Sequence, residues 1–101
     1  MSAITTHVLN TARGTPAASV PVILEALREG EWALIAQTET GEDGRARLAE
    51  DAEPGQYRIT FYLDAEAFYP EVSVRFRLRD ARHHHIPLLL SPFGYSTYRG
   101  S

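Results

Sequence analysis

Hydrophobic and polar residues alternate with a period of two along most of this chain. The clearest case is Val72 to Arg79, where valine, phenylalanine and leucine alternate with serine and arginine. Successive side chains of a β-strand point to opposite faces of a sheet, so this pattern predicts a strand with one buried and one solvated face. The same test predicts eight short strands in total. They are Ile4 to Thr11, Val20 to Arg28, Trp32 to Thr38, Arg45 to Leu48, Gln56 to Leu63, Val72 to Arg79, His83 to Leu90 and Tyr95 to Arg99.

Turn residues separate these strands, and one segment favours a helix. Arg13 to Pro16 reads as a turn, and Ala49 to Gly55 is an acidic stretch that we interpret as a solvated loop. Asp64 to Tyr69 is predicted as one short helix, because Asp64 suits the N-cap and the following proline ends it. Helix competes with strand for Val22 to Arg28, but the length and the flanking Pro and Gly favour strand. Short strands with frequent turn signals are typical of an all-β sandwich of two sheets.

The length, charge and composition of the chain exclude several kinds of chemistry and partner. A chain of 101 residues is expected to form a single domain spanning residues 1–101. The net charge of −3 argues against a nucleic-acid partner, since phosphate neutralisation requires a basic surface. The absence of cysteine and lysine excludes disulfides, thiolate nucleophiles and Schiff-base chemistry, which leaves histidine as the side chain that titrates near neutral pH. Without a secretory pattern or a long apolar run, we predict a soluble cytoplasmic protein with no membrane partner.

Three consecutive histidines, His83 to His85, open the seventh predicted strand. Alternation places His85 opposite Ile86, and the Ile86 face is the better core face because it also carries leucine. By the same test, His7 points away from the core on the first strand. If the first, seventh and last strands belong to one sheet, His7, His85 and Tyr98 are predicted to share its outer surface.

Other sites are weaker alternatives. His83 and His85 point the same way and could share a metal ion, but a catalytic zinc site usually has three protein ligands, and no H-E-x-x-H spacing occurs. We therefore predict no metal and no cofactor. The arginines of Val72 to Arg79 could bind phosphate, but we interpret them as the solvated face of a sheet. Neither a serine nucleophile elbow nor a glycine-rich phosphate motif is present.

Four segments together resemble the transthyretin-like 5-hydroxyisourate hydrolases. They are Thr6 to Asn10 (THVLN), Asp43 to Arg45 (DGR), His83 to Pro92 (HHHIPLLLSP) and Tyr98 to Ser101 (YRGS). The similarity extends over essentially the whole chain, and the terminal YRGS is its most specific part. The resemblance implies a transthyretin-like sandwich of two four-stranded sheets with one short helix. It also implies a homotetramer, a dimer of dimers with active sites in the channels between dimers.

The resemblance further implies an activity and its residues. The family hydrolyses 5-hydroxyisourate to 2-oxo-4-hydroxy-4-carboxy-5-ureidoimidazoline in urate degradation. Carried over by position, His7, His85 and Ser101 are predicted to be catalytic, and His7, Arg45 and Tyr98 to bind the substrate. Opening a cyclic amide requires a positioned water, a base and stabilisation of an oxyanion, which the two histidines and the arginine can supply. Which histidine is the base stays open.

Two non-enzymatic alternatives remain at this point. Transthyretin itself has this fold and carries thyroid hormones, so a small-ligand carrier is the main alternative, and a generic sandwich adhesion module is another. The polar set of His7, Arg45 and His85 favours the hydrolase, because an apolar hormone channel would leave such groups buried without partners.

Overall fold

The computed structural model describes residues 2–100, which form two β-sheets packed face to face. The alternating segments become strands as predicted, and the strand bounds differ from the predicted ones mainly at their ends. In chain order the strands are β1 (Ser2–Asn10), β2 (Thr15–Pro16), β3 (Pro21–Arg28), β4 (Glu31–Glu39), β5 (Arg45–Ala52), β6 (Gly55–Tyr62), β7 (Glu71–Leu78), β8 (His84–His85), β9 (Leu88–Ser91) and β10 (Gly94–Thr97).

The first sheet, here called the β3 sheet, has the antiparallel order β4-β3-β6-β7. The second, the β1 sheet, is built around β1, which pairs with β5 on one side and with β8 and then β9 on the other. β10 pairs with β9 at its edge, and the two-residue β2 pairs with the end of β1. With β8 and β9 taken as one interrupted strand, each sheet has four main strands, which confirms the predicted transthyretin-like sandwich.

Pro87 explains why the strand beside β1 is interrupted. Proline cannot donate a ladder hydrogen bond, so the pairing stops after His85 and resumes at Leu88. Between β8 and β9, side-chain hydroxyls donate to the backbone carbonyls in place of ladder hydrogen bonds. Thr6 Oγ1 donates to the Ile86 carbonyl at 2.6 Å, and Thr97 Oγ1 donates to the Pro87 carbonyl at 2.8 Å. The buried carbonyl of Ile86 is therefore satisfied without a regular ladder.

The core lies between the two sheets and follows the predicted alternation. On β1, Ser2, Ile4, Thr6 and Val8 are buried, while Thr5, His7 and Leu9 are only partly buried on the outer face. Phe61 is fully buried, and burying a side chain of that size contributes about 1.5–3 kcal/mol. The fully enclosed apolar residues come from both sheets: Ile4, Val8, Val22, Leu24, Ile59, Phe61 and Leu88.

Two local predictions are corrected. Asp64 to Tyr69 forms one turn rather than a helix: the Ala67 amide bonds to the Asp64 carbonyl at 3.0 Å, and Asp64 Oδ1 accepts from the Glu66 amide at 2.9 Å. Helix nucleation is unfavourable, and Pro70 leaves too few residues for propagation to offset it. The segment predicted as an acidic loop is partly strand, because β5 continues to Ala52 through a bulge opposite β1. No helix within residues 2–100 is long and apolar enough to cross a bilayer.

Candidate active site

The strand register brings the predicted histidines and arginine onto one face. His7 lies directly opposite Arg45 in the antiparallel β1–β5 ladder. Two residues before His7 on the same face of β1, Thr5 lies opposite Arg47 on β5 and beside His85 on β8. Because β1 is the middle strand, these side chains project together from the outer face of the β1 sheet.

A threonine hydroxyl joins two of the histidines. Thr5 Oγ1 lies 2.9 Å from His85 Nδ1 and 2.6 Å from His83 Nε2. The two imidazole rings meet edge to face with their centroids 6.2 Å apart. Since Thr5 occupies Nδ1 of His85, the nitrogen through which His85 can act on a molecule in the cleft is Nε2.

Glycine is required at the turn that presents Arg45. Gly44 has φ of +78°, and an added Cβ would lie 2.5 Å from the Val8 carbonyl oxygen and 2.9 Å from Pro16 Cβ. The Val8 amide in turn donates to the Gly44 carbonyl at 2.8 Å. This close approach of the turn to β1 places Arg45 opposite His7, so the DGR motif has a structural explanation.

The C-terminal segment closes over His85 from the other side. The Gly100 amide donates to the His85 carbonyl at 2.7 Å, which forms an isolated antiparallel bridge. A Cβ at Gly100 would lie 2.7 Å from His85 Cδ2, so only glycine lets the backbone rest against the imidazole. Arg99 anchors the same segment at 3.6 Å from Asp80, and the hydrogen bonds from Arg82 together with the Arg99 charge hold the pKa of Asp80 at about 2.

An open cleft of about 420 Å³ lies on this face and is lined by Arg45 and His85, whereas His7 is not among the residues that line it. A cleft of this size falls in the range of small-molecule sites. Arg45 is largely exposed and only loosely held, with its Nε 3.9 Å from Asp43 Oδ2, so its guanidinium can turn to a ligand. The polar side chains lining the cleft are Thr5, Asp43, Arg45, Arg47, His83 and His85.

The environment of His85 favours its neutral form. Burial lowers the pKa of His85 below its ordinary value of 6.5, and the positive charges of His83, Arg45 and His7 lower it further. A neutral imidazole at neutral pH can accept a proton, so His85 has the protonation state that a general base requires.

The structure does not bring every predicted site residue to this cleft. β10 ends at Thr97, and Tyr98 then lines a separate depression of about 180 Å³. The hydrogen bond between Gly100 and His85 draws the chain out of the strand, so alternation no longer sets the direction of Tyr98. Ser101 lies outside the described residues. His84 is buried, and its Nδ1 lies 2.7 Å from the Arg82 carbonyl oxygen.

Thr5 is the site residue that sequence reasoning missed. Alternation put Thr5 on the same face as His7, but nothing in the sequence paired it with His85, which is 80 residues away. For His83, the sequence suggests metal binding only as a weak alternative and leaves its role open. Within residues 2–100, no group of three or more His, Cys, Asp or Glu side chains is arranged to hold a metal ion.

Fold and site together define a class: a two-sheet sandwich with a histidine–arginine cleft on the outer face of one sheet. The sequence profile of the HIUase/Transthyretin family matches residues 4–100, and the chain belongs to this family.

Individual relatives and solved structures also indicate the HIUase/Transthyretin family. The chain is 42% identical to the 5-hydroxyisourate hydrolase of Mesorhizobium japonicum over 97% of its own length and 91% of the relative's. The structure of Klebsiella pneumoniae 5-hydroxyisourate hydrolase superposes with a TM-score of 0.85 at 34% identity, with all of both chains covered. Sea bream transthyretin in complex with thyroxine superposes with a TM-score of 0.90 at 29% identity, over 96% of this chain and 93% of that one.

Proposed function

We propose that this protein is an enzyme that hydrolyses 5-hydroxyisourate in urate degradation. The observation that carries the proposal is the convergence of His7, Arg45 and His85 on one outer face of the β1 sheet. Relatives that match nearly the whole chain bear the name 5-hydroxyisourate hydrolase. The reaction adds water to a cyclic amide and gives 2-oxo-4-hydroxy-4-carboxy-5-ureidoimidazoline.

His85 is assigned the role of base in this reaction. Its neutral imidazole takes a proton from water at Nε2 as the water oxygen attacks the amide carbonyl, and the same nitrogen returns the proton to the departing ring nitrogen. This use of one imidazole as base and then acid follows the logic of other acyl-transfer sites.

Arg45 and His7 are assigned to the substrate. They face each other across the β1–β5 ladder, so a planar substrate rich in carbonyl oxygens can bridge them. The fixed charge and planar donors of Arg45 stabilise the negative charge that develops on the attacked carbonyl, and His7 contributes a second hydrogen bond. The predicted roles of Tyr98 and Ser101 stay predictions.

The carrier alternative shares the fold, as the similarity to sea bream transthyretin illustrates. Two features of the cleft speak against it. Its lining combines arginines with histidines, and the pKa of His85 is lowered by burial and by its positive neighbours. A hydrophobic ligand would leave these polar groups desolvated without partners, which is unfavourable.

The homotetramer predicted from the resemblance is part of the proposal. An exposed aromatic cluster supports self-association: Phe68 and Phe93 are 65% and 78% exposed, and their ring centroids are 5.8 Å apart. Tyr69 and Tyr95 extend the cluster at 5.1 Å. Such a patch is more often an interface than a free surface. Light scattering on the purified protein tests the tetramer, and cell fractionation tests the predicted cytoplasmic location.

The activity itself is tested by generating 5-hydroxyisourate in situ with urate oxidase and following the decay of its ultraviolet absorbance. We expect this protein to accelerate the decay in proportion to its concentration and a His85→Gln variant to do so far less. Decay at the spontaneous rate in the presence of folded wild-type protein would refute the proposal.

A further inference from the structure

The feature that the proposed reaction leaves unused is the hydrogen-bonded chain His83–Thr5–His85. Thr5 Oγ1 lies within 3 Å of a ring nitrogen on each histidine, at 2.6 Å from His83 Nε2 and 2.9 Å from His85 Nδ1. A hydroxyl has one proton, so it donates to one of these nitrogens and accepts from an N–H of the other. The protonation states of the two rings are therefore linked through Thr5.

The two histidines of this hydrogen-bonded chain differ in their access to water. His83 is exposed, whereas His85 is partly buried and faces His7 and Arg45. Arg47 lines the same cleft from β5. A positive charge on His85 is unfavourable among these cations, but the same charge on His83 is hydrated. A base in the position of His85 therefore benefits from a path that moves its positive charge to the exposed His83.

We infer that Thr5 and His83 form a proton relay that lets His85 accept a proton without holding the charge. This inference rests on the proposed hydrolysis, and it makes Thr5 and His83 relay residues that act through His85. In the resting state, His85 Nδ1–H donates to Thr5, the Thr5 hydroxyl donates to His83 Nε2, and His85 Nε2 carries the lone pair.

The steps balance without any added reactant. As the water oxygen forms its bond to the carbonyl carbon, the water proton passes to His85 Nε2, the Nδ1 proton to Thr5 Oγ1, and the Thr5 proton to His83 Nε2. His85 is then neutral and His83 is an imidazolium. When the C–N bond breaks, the leaving nitrogen takes the His85 Nε2 proton, and the Thr5 and His83 protons return along the same path.

Thr5→Val is the central test, with Thr5→Ser as its matched control. Valine keeps the shape of threonine but has no hydroxyl, while serine keeps the hydroxyl. Positioned acid–base groups contribute about 10²–10⁴-fold, so loss of their relay is expected to lower kcat about 10- to 100-fold with KM little changed. Thr5→Ser is expected to restore most of kcat. Equal kcat for the valine and serine variants would overturn the inference.

His83→Gln separates charge transfer from simple support. Glutamine can still hydrogen-bond to Thr5 but cannot accept a proton, so kcat is expected to fall although the fold is retained. The wild-type solvent isotope effect should indicate more than one proton in flight, and the variant should indicate one. An unchanged isotope effect and kcat in His83→Gln would contradict a relay and leave His83 a structural partner.

Nitrogen NMR of the protein without substrate tests the relay independently of the hydrolysis reaction. The inference predicts that His85 carries its proton on Nδ1 in wild type and Thr5→Ser, and that this preference is lost in Thr5→Val. If the wild type fails to hydrolyse 5-hydroxyisourate, the proposed function fails, and the NMR result alone decides whether the hydrogen-bonded chain sets the tautomer. An identical His85 tautomer in all three proteins would overturn the inference.

Discussion

The outer faces of the two sheets carry similar residues but differ in how their charges are partnered. On the β3 sheet, Arg58 lies 2.9 Å from Glu25 and its guanidinium stacks 4.4 Å above the ring of Trp32. Arg75 covers the same ring at 5.3 Å and donates to Gln56 at 2.8 Å. The predicted row of Arg75, Arg77 and Arg79 is exposed, as interpreted from the sequence, and Arg75 has local partners.

On the β1 sheet, cations gather around a cleft rather than around acids. Arg45 is 3.9 Å from an exposed Asp43, and Arg47 is 4.0 Å from an exposed Glu50. His7 lies opposite Arg45 in the ladder, and His83 and His85 line the cleft with both arginines. A titratable group in a cleft whose pKa is shifted by burial and by specific charges, as for His85, marks a candidate functional site. Both outer faces carry arginine, so the presence of arginine does not distinguish them. The proposed active face differs because its arginines lie beside a cleft that histidines also line.

Replacing the histidines of the β1 face should have the largest effect. His85→Gln and His7→Asn remove the proposed acid–base group and a proposed substrate contact, so each is expected to lower kcat/KM by about 10²–10⁴-fold while the circular dichroism spectrum stays unchanged. The measurement is the ultraviolet decay of 5-hydroxyisourate. Wild-type rates in both variants would show that the chemistry lies elsewhere.

A smaller but sharp effect is expected at Gly100. Gly100→Ala places a methyl 2.7 Å from His85 Cδ2, whereas Gly94→Ala on the same tail meets only Ser91 Oγ at 3.5 Å. Misplacing a catalytic group by about 1 Å can reduce rates about 100-fold, so Gly100→Ala should lose activity and Gly94→Ala should not. If the two alanine variants are equally active, the tail does not position His85.

The pH dependence of stability provides the next comparison. Burial, and then the charges of His83, Arg45 and His7, lower the pKa of His85 below 6.5, so between the two pKa values the unfolded chain binds more protons than the native one. The free energy of unfolding should therefore fall as the pH drops from 6.5 through the lowered pKa, and His85→Gln should remove this part of the loss. Urea unfolding of both proteins at neutral and mildly acidic pH measures it. If the free energies of unfolding of the two proteins change with pH in parallel, protonation of His85 does not destabilise the native state.

The smallest effect is expected on the β3 face. Glu25→Gln weakens a partly buried ion pair with Arg58, which should lower the free energy of unfolding by about 1 kcal/mol and leave kcat/KM unchanged. Urea titration and the absorbance assay measure the two quantities. A loss of activity at full stability would mean that the β3 face takes part in function.

The period of two predicted much of this molecule. It gave the strands, the buried face of β1 and the outward direction of His7 and His85, because those properties follow from local alternation. It could not give the pairing of β1 with β8, because contacts between residues 80 positions apart depend on the whole sheet. The role of Thr5 and the departure of Tyr98 from the last strand both follow from that pairing and from the Gly100 bridge.

The failed helix has a similar cause. Local signals at Asp64 were correct for a turn, and Asp64 does accept from the Glu66 amide. Whether a turn propagates depends on tertiary contacts, and here the following Phe68 and Tyr69 rings pack edge to face at 4.9 Å within an aromatic cluster.

The two sheet faces can be compared by one pair of matched variants. Arg45→Gln and Arg75→Gln make the same substitution on opposite faces, and kcat/KM for 5-hydroxyisourate is measured for both. We predict a large loss for Arg45→Gln, since the proposed role of its charge is to stabilise the oxyanion, and a wild-type value for Arg75→Gln. Equal losses, or a loss confined to Arg75→Gln, would contradict the assignment of the chemistry to the outer face of the β1 sheet.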